Sequence, residues 1–168
     1  AEGVFAIPQN VKRIGAGAFQ DSNITGVKIP NSVTEIGAQA FQWCRNLVDI
    51  VIPSSVTRIG EDALLGTAWL KQQEETKTFL VLGDGVLTWV SRKTEGAFVV
   101  PKNVKSIGGG AFKWCDKITS IEIPSGVVSI GESAFYDCKK LTSVNIPSGV
   151  TEIANYAFYG CTSLAEVK

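Results

Sequence analysis

An α/β repeat solenoid is the fold this sequence predicts, and three observations carry the prediction. All six prolines, Pro8, Pro30, Pro53, Pro101, Pro124 and Pro147, follow an Ile or Val, at spacings of 22, 23, 48, 23 and 23 residues. The stretch Ile118–Cys138, ITSIEIPSGVVSIGESAFYDC, returns 23 positions later as Leu141–Cys161, LTSVNIPSGVTEIANYAFYGC. Shifted copies reach through most of the N-terminal half. A period of this size marks stacked units, each of which buries its apolar face only against its neighbours.

Within a unit the pattern reads L-x-x-V-x-I-P-x-x-V-x-x-I-G-x-x-A-F-x-x-C. Its V-x-I segment, Ile121 and Ile123 or Val144 and Ile146, alternates with the period of a strand that has one buried face. Proline ends that strand because it offers no N–H to a ladder and biases the residue before it toward extended geometry. A second short extended segment follows, with Val127 and Ile130 inward in the sixth copy. The Gly after that Ile recurs as Gly15, Gly37, Gly60, Gly108 and Gly131, whereas the last unit has Ala154. Alanine in the column argues for close packing there rather than obligatory positive φ. The x-x-A-F-x-x-C stretch is too short for a free-standing helix and is expected to form one helical or 3₁₀ turn. Its Phe19, Phe41, Phe112, Phe135 and Phe158, with Leu64 in the third unit, are predicted to stack as a core column.

Two regions depart from the pattern. The first unit is one residue short between Phe19 and Ile24 and has Ser22 in the cysteine column. From Ala68 to about Thr94 the motif dissolves. Superposed on the repeat, Leu80–Trp89 aligns with Val144–Ile153, which puts Gly83 at the proline position and Trp89 at the second Ile. Gly83-Asp84-Gly85 is predicted to be a tight turn. Val90 through Val100 is expected to form a β-hairpin in place of the usual turn. Lys71–Thr78, KQQEETKT, is expected to be an exposed loop. Regular units are therefore placed at about 4–67 and 95–168, with a degenerate, bulging unit at about 68–94, in one domain spanning 1–168. Both ends fall mid-unit, with Phe5 and Ile7 inside a first strand and Leu164, Val167 and Lys168 opening another unit. A fragment of a longer array or multidomain chain is the expectation.

Composition narrows the function. Sixteen basic and sixteen acidic residues cancel, so no net field attracts nucleic acid or an anionic membrane. No apolar run approaches the ~20 residues needed to span a bilayer. There is no histidine, which removes the commonest general base and metal ligand. No serine sits in a G-x-S-x-G motif, no D-x-D-x-D-G run offers calcium ligands, and Gly83-Asp84-Gly85 lacks the rest of a phosphate loop. Cys44, Cys115, Cys138 and Cys161 share one column. Their side chains are expected to point inward together as free, buried thiols, with one disulfide or a metal site as the lesser readings. No cofactor is predicted.

The units IPSGVVSIGESAFYDCKKL and IPSGVTEIANYAFYGCTSL resemble the BspA-like, or Treponema-type, leucine-rich repeats, and the resemblance covers nearly the whole chain. It implies a right-handed, curved leucine-rich-repeat solenoid on surface or secreted proteins of bacteria and some mucosal protists. It also implies adhesion to host proteins or other cells, with no general catalytic residues. In such repeats the face of the first strands is generally concave and contacts partners. Here Lys28, Val51, Glu122 and Asn145 project from it. On the second strands Arg13, Glu35 and Arg58 form a column of alternating sign, read as a solvated charge ladder. Trp43, Trp114, Tyr136 and Tyr159 follow the core Phe by one or two positions. Half-buried packing is the first reading for them, and an exposed edge for protein or glycan contact is the sharper one. The functional expectation is a non-enzymatic extracellular or cell-surface module binding a host matrix or cell-surface protein. A structural spacer and a carbohydrate-binding module are the alternatives.

Overall fold

Each regular unit contributes two very short strands, one on either side of its Ile/Val-Pro step. In the computed structural model, which describes residues 3–167, these are β1 (Val4–Ala6) and β2 (Arg13–Ile14), β3 (Gly26–Lys28) and β4 (Glu35–Ile36), then β5 (Asp49–Val51) and β6 (Arg58–Ile59). Helix α1 (Ala68–Thr76) and strands β7 (Phe79–Leu82) and β8 (Val86–Val90) follow. The regular pattern resumes with β9 (Gly96–Val99), β10 (Ser106–Ile107), β11 (Ile118–Glu122), β12 (Ser129–Ile130), β13 (Ser143–Asn145) and β14 (Glu152–Ile153), and closes on β15 (Glu166–Val167). Lys168 lies outside the described residues. First strands pair in parallel as β1-β3-β5 and as β9-β11-β13-β15; second strands pair as β2-β4-β6 and as β7-β8-β10-β12-β14. The chain is a β-solenoid, and its register follows the repeat: Val27 opposes Ile50, and Ile121 opposes Val144.

The expected helical turn after the Gly is not helical. Backbone φ is positive at the third residue after the second-strand Ile in every regular unit, at Gly17, Gln39, Asp62, Gly110, Ser133 and Tyr156. It is positive again at the seventh, at Asp21, Trp43, Gly66, Trp114, Asp137 and Gly160. A left-handed residue every fourth position cannot continue a right-handed helix. Consecutive four-residue turns result, as with Gln42 N–H to Gln39 carbonyl and Cys44 N–H to Phe41 carbonyl. Alternate amides are thereby freed to donate to the next unit: Gln39, Phe41 and Trp43 donate to the carbonyls of Glu61, Ala63 and Leu65. The only helix among the described residues is α1, in the segment expected to be a loop. Thr67 caps it by accepting from the Leu70 N–H at 3.0 Å, and Leu70 anchors it in the core.

The recurring Gly column behaves as its one alanine implies. None of Gly15, Gly37, Gly60, Gly108 and Gly131 has positive φ. A Cβ on Gly37 would fall 2.6 Å from the Ala16 nitrogen, and one on Gly60 would run into the Ala38 nitrogen. Close stacking of unit on unit selects glycine here.

The irregular segment is built differently from the expectation. The hairpin is β7–β8, antiparallel around Gly83-Asp84-Gly85, with Leu82 opposite Val86. Residues 96–99, expected to be a hairpin arm, instead form a first strand parallel to β11. Leu87 rather than Trp89 occupies the second-Ile position, since it opposes Ile107. The hairpin is an internal wall, not a bulge. Leu80, Leu82, Val86 and Trp89 pack against the N-terminal core, whereas Phe79, Val81, Leu87 and Val90 pack against the C-terminal one. A strand apolar on both faces is what burial between two layers requires.

Candidate functional site

The first-strand face carries the residues singled out from the sequence, but in two groups. Lys28 and Val51 are direct cross-strand partners on β3 and β5. Glu122 and Asn145 are partners on β11 and β13. All four are exposed, Val51 by 73%. The two pairs lie on separate sheets, because β5 and β9 are not hydrogen-bonded to each other. Strands β9, β11 and β13 line a shallow hollow of about 360 Å³ with Glu122 and Asn145 in its wall. Val99 opposes Glu122 and is 65% exposed in the same wall. The sequence reading passed over it; the Val100-Pro101 step, in register with every other Ile-Pro, was the signal that places it. Neither the Glu122 carboxylate nor the Asn145 amide has a side-chain partner among the described residues.

The second-strand face is neutralised internally. Arg13 pairs with Glu35 at 3.1 Å. Arg58, expected to continue that ladder, instead reaches Glu152 at 2.9 Å. Its way is open because the intervening column holds small residues, Ser106 and Ser129, which are in register with Glu152. These pairs are solvent-exposed and contribute at most about 1 kcal/mol each.

Along the turn edge, Trp114, Tyr136 and Tyr159 form one run and Trp43 stands apart. Tyr136 and Tyr159 stack with centroids 5.0 Å apart, and Tyr156 meets Tyr159 edge-on. The Trp114 ring carries Arg92 at 4.4 Å and the Lys113 ammonium at 4.5 Å. Lys113 also bridges Glu61 at 2.6 Å and Asp62 at 3.0 Å, with little of any of the three exposed. Burial alone would lower its pKa; the hydrogen bonds to the two carboxylates outweigh burial and raise it. Trp43 and Trp114 are 42% and 38% exposed and Tyr159 is 57% exposed, whereas Tyr136 is half-buried.

The cysteines are free, three of them buried and Cys161 half-buried. Their thiols do more than fill space. Cys44, Cys138 and Cys161 donate to the carbonyls of Phe19, Phe112 and Phe135 in the preceding unit, at 2.9, 3.1 and 3.0 Å. Burial pushes the Cys115 thiol up to about 12. Cys138 is also raised, by the neighbouring Cys161 thiol and then by burial, while the neighbouring Cys138 thiol lowers Cys161. No cluster of three or more Cys, Asp or Glu side chains able to hold a metal occurs among the described residues. No helix among them is long and apolar enough to cross a membrane.

Two-strand units ending in an aromatic turn, stacked on a period of about 23 residues, define a leucine-rich-repeat solenoid. The chain belongs to the BspA-type leucine-rich-repeat family, which it matches in six copies over residues 4–88 and 93–168. The interruption, 89–92, falls at the end of β8, where no regular turn follows. No curated protein matches the chain. Among solved structures it is similar to a leucine-rich cell-surface protein of Faecalibacterium prausnitzii, at 25% identity and TM-score 0.40 over 99% of this chain and 59% of that one. It is also similar to a leucine-rich-repeat protein of T. pallidum, at 26% identity and TM-score 0.43 over 98% and 68%. The pneumococcal vaccine antigen PcpA aligns at 22% identity and TM-score 0.52 over 98% and 46%, a likeness of fold. The chain thus spans about half to two thirds of each of these proteins.

Proposed function

We propose that this chain is a non-enzymatic module of a bacterial surface or secreted protein, a single right-handed, curved solenoid that contacts a protein partner through its first-strand face. Membership of a leucine-rich-repeat family supports protein binding as the general role. One contrast between the faces supports the choice of surface. Charges on the second-strand face are paired with each other, whereas Glu122 and Asn145 stand unpartnered over a hollow flanked by Val99. Unpaired polar groups beside an exposed aliphatic side chain leave hydrogen-bonding capacity and apolar area for a partner. Adhesion to a host matrix or cell-surface protein is the specific reading, with no nucleic acid and no membrane insertion. Binding to immobilised extracellular-matrix proteins should be retained by the wild type and lost in Glu122→Arg/Asn145→Arg. Silence of the wild type on matrix proteins and on glycan arrays alike would instead make the chain a spacer. The stacked Tyr136–Tyr159 pair, exposed at Tyr159, favours a second reading, glycan contact, and Tyr159→Ala should then abolish array signals.

A further inference from the structure

Between the first regular unit and the last, the turn-to-turn ladder breaks at one place. In the second unit Gln39, Phe41 and Trp43 each donate to the next unit at 2.8 Å. Gly110, Phe112 and Trp114 do the same to Glu132, Ala134 and Tyr136 at 2.9, 2.7 and 2.8 Å. The equivalent donors of the third unit, Asp62, Leu64 and Gly66, meet no acceptor among the described residues. The turn that would receive them is replaced by α1 and the β7–β8 hairpin. Leu64 is only 3% exposed, and an unpaired amide at such a position is costly. In front of Asp62 and Leu64 lies a hollow of about 400 Å³, lined by these two residues and walled by Leu70, Glu74, Trp89 and Arg92, with Gly66 just beyond its lining. Its volume falls in the range of ligand pockets, about 300–1,000 Å³.

We propose that this hollow takes an extended peptide segment of a partner protein, held by its backbone. Carbonyls at alternate residues of the peptide accept from Asp62, Leu64 and Gly66, as the next turn does everywhere else in the ladder. Leu64, Leu70 and Trp89 supply apolar contact for its side chains. Strand addition of this kind draws affinity from main-chain hydrogen bonds. A small anion is the poorer fit. The donors are spread along a row rather than converging, and two of the three cations in the wall are already engaged, Lys113 by Glu61 and Asp62 and Arg92 by the Trp114 ring, which leaves Lys93 alone. Glu74, whose pKa burial raises against the pull of Arg92, lies in the same wall and favours a neutral or basic side chain opposite it. The site is separate from the first-strand face and stands without it.

The test is an amide titration by NMR, with the acetylated, amidated heptapeptide GQSAFYN as probe. That sequence is this chain's own Gly131–Asp137 with Glu132 and Asp137 as their neutral amides, and the carbonyls of that segment meet the equivalent donors of the preceding unit. In the free protein the Leu64 amide should exchange with solvent far faster than the paired Phe41 amide. Added peptide should shift Asp62, Leu64 and Gly66, slow their exchange, and leave Gln39 and Phe41 unmoved. Ser91→Trp, which fills the hollow from its wall, should lose the response, and Glu122→Arg/Asn145→Arg should keep it. Protection of Leu64 equal to that of Phe41 in the free protein overturns the proposal. So does saturating peptide that moves none of the three amides, or a response that survives in Ser91→Trp.

Discussion

Replacing Phe135 by alanine tests the packing of the whole stack. The Phe135 ring is fully buried between Phe112 at 5.0 Å and Phe158 at 4.9 Å, with interplanar angles of 24° and 13°. Truncating a buried Phe costs about 3–5 kcal/mol. Phe135 should lie at the upper end for two reasons. It loses two aromatic contacts, each worth roughly 0.5–1.5 kcal/mol beyond area burial. The rings on either side also cannot close the gap, because the Phe112 and Phe135 amides are pinned by 2.7 Å bonds to Ala134 and Ala157. Phe158 is half-buried and stacks on Phe135 alone, so Phe158→Ala should cost about half as much. Phe135→Leu should cost about 1.5 kcal/mol or less, since Leu64 already fills this column at 3% exposure. Urea denaturation followed by circular dichroism gives the free energies. Calorimetry should show a melting point lower by on the order of 10 °C for Phe135→Ala, at about 2–4 °C per kcal/mol for a chain of this size. Equal costs for Phe135→Ala and Phe158→Ala, or a Phe135→Ala cost below about 2 kcal/mol, would refute a core carried by the central rings.

Two further predictions concern the glycine and cysteine columns. Gly60→Ala should destabilise by about 1–3 kcal/mol or more, because the Ala38 backbone occupies the space a Cβ needs. Gly15→Ala, with nothing within 4 Å of the same atom, should stay within about 1 kcal/mol of wild type in the same denaturation assay; equal losses at both positions would remove close stacking as the reason for the column. Native-state thiol titration near neutral pH should modify Cys161 first, and Cys44, Cys115 and Cys138 only on unfolding. Cys115 is held protonated to about 12 in the fold, against about 8.5 in the unfolded chain. Its contribution to stability is therefore complete below about pH 8.5 and is lost as pH rises toward 12. Cys115→Ala should flatten the fall of the denaturation midpoint in that window, and an unchanged slope would sink the assignment.

Much of the fold was legible because the repeat encodes it redundantly. Period-two alternation fixes which side chains of the first strands face inward, and the Ile/Val-Pro step fixes where those strands end. The register of β3 on β5 and of β11 on β13 follows from those two facts. The turn conformation was not legible. Its left-handed positions hold glycine in some units, as at Gly17 and Gly110, but Gln39, Ser133, Trp43 and Tyr156 in others. Cooperative hydrogen bonding between units imposes the backbone there, and the residue type does not report it. The irregular segment misled for a related reason. Aligning Leu80–Trp89 on Val144–Ile153 gives Leu80–Leu82 the place of a first strand, yet Gly83-Asp84-Gly85 brings β7 back onto β8 as a hairpin.

Periodicity in the chain was enough to show a stack of leucine-rich repeats, to name the columns that form its core, and to show that no known catalytic motif is written into it. Those properties repeat every unit, so each copy confirms the others. Tertiary structure alone decided that the first-strand face divides into two sheets, that Arg58 reaches Glu152, and that three amides of the third unit are left without a turn to receive them. Each of these depends on how the single irregular segment folds between its neighbours, where no second copy exists to reveal the rule.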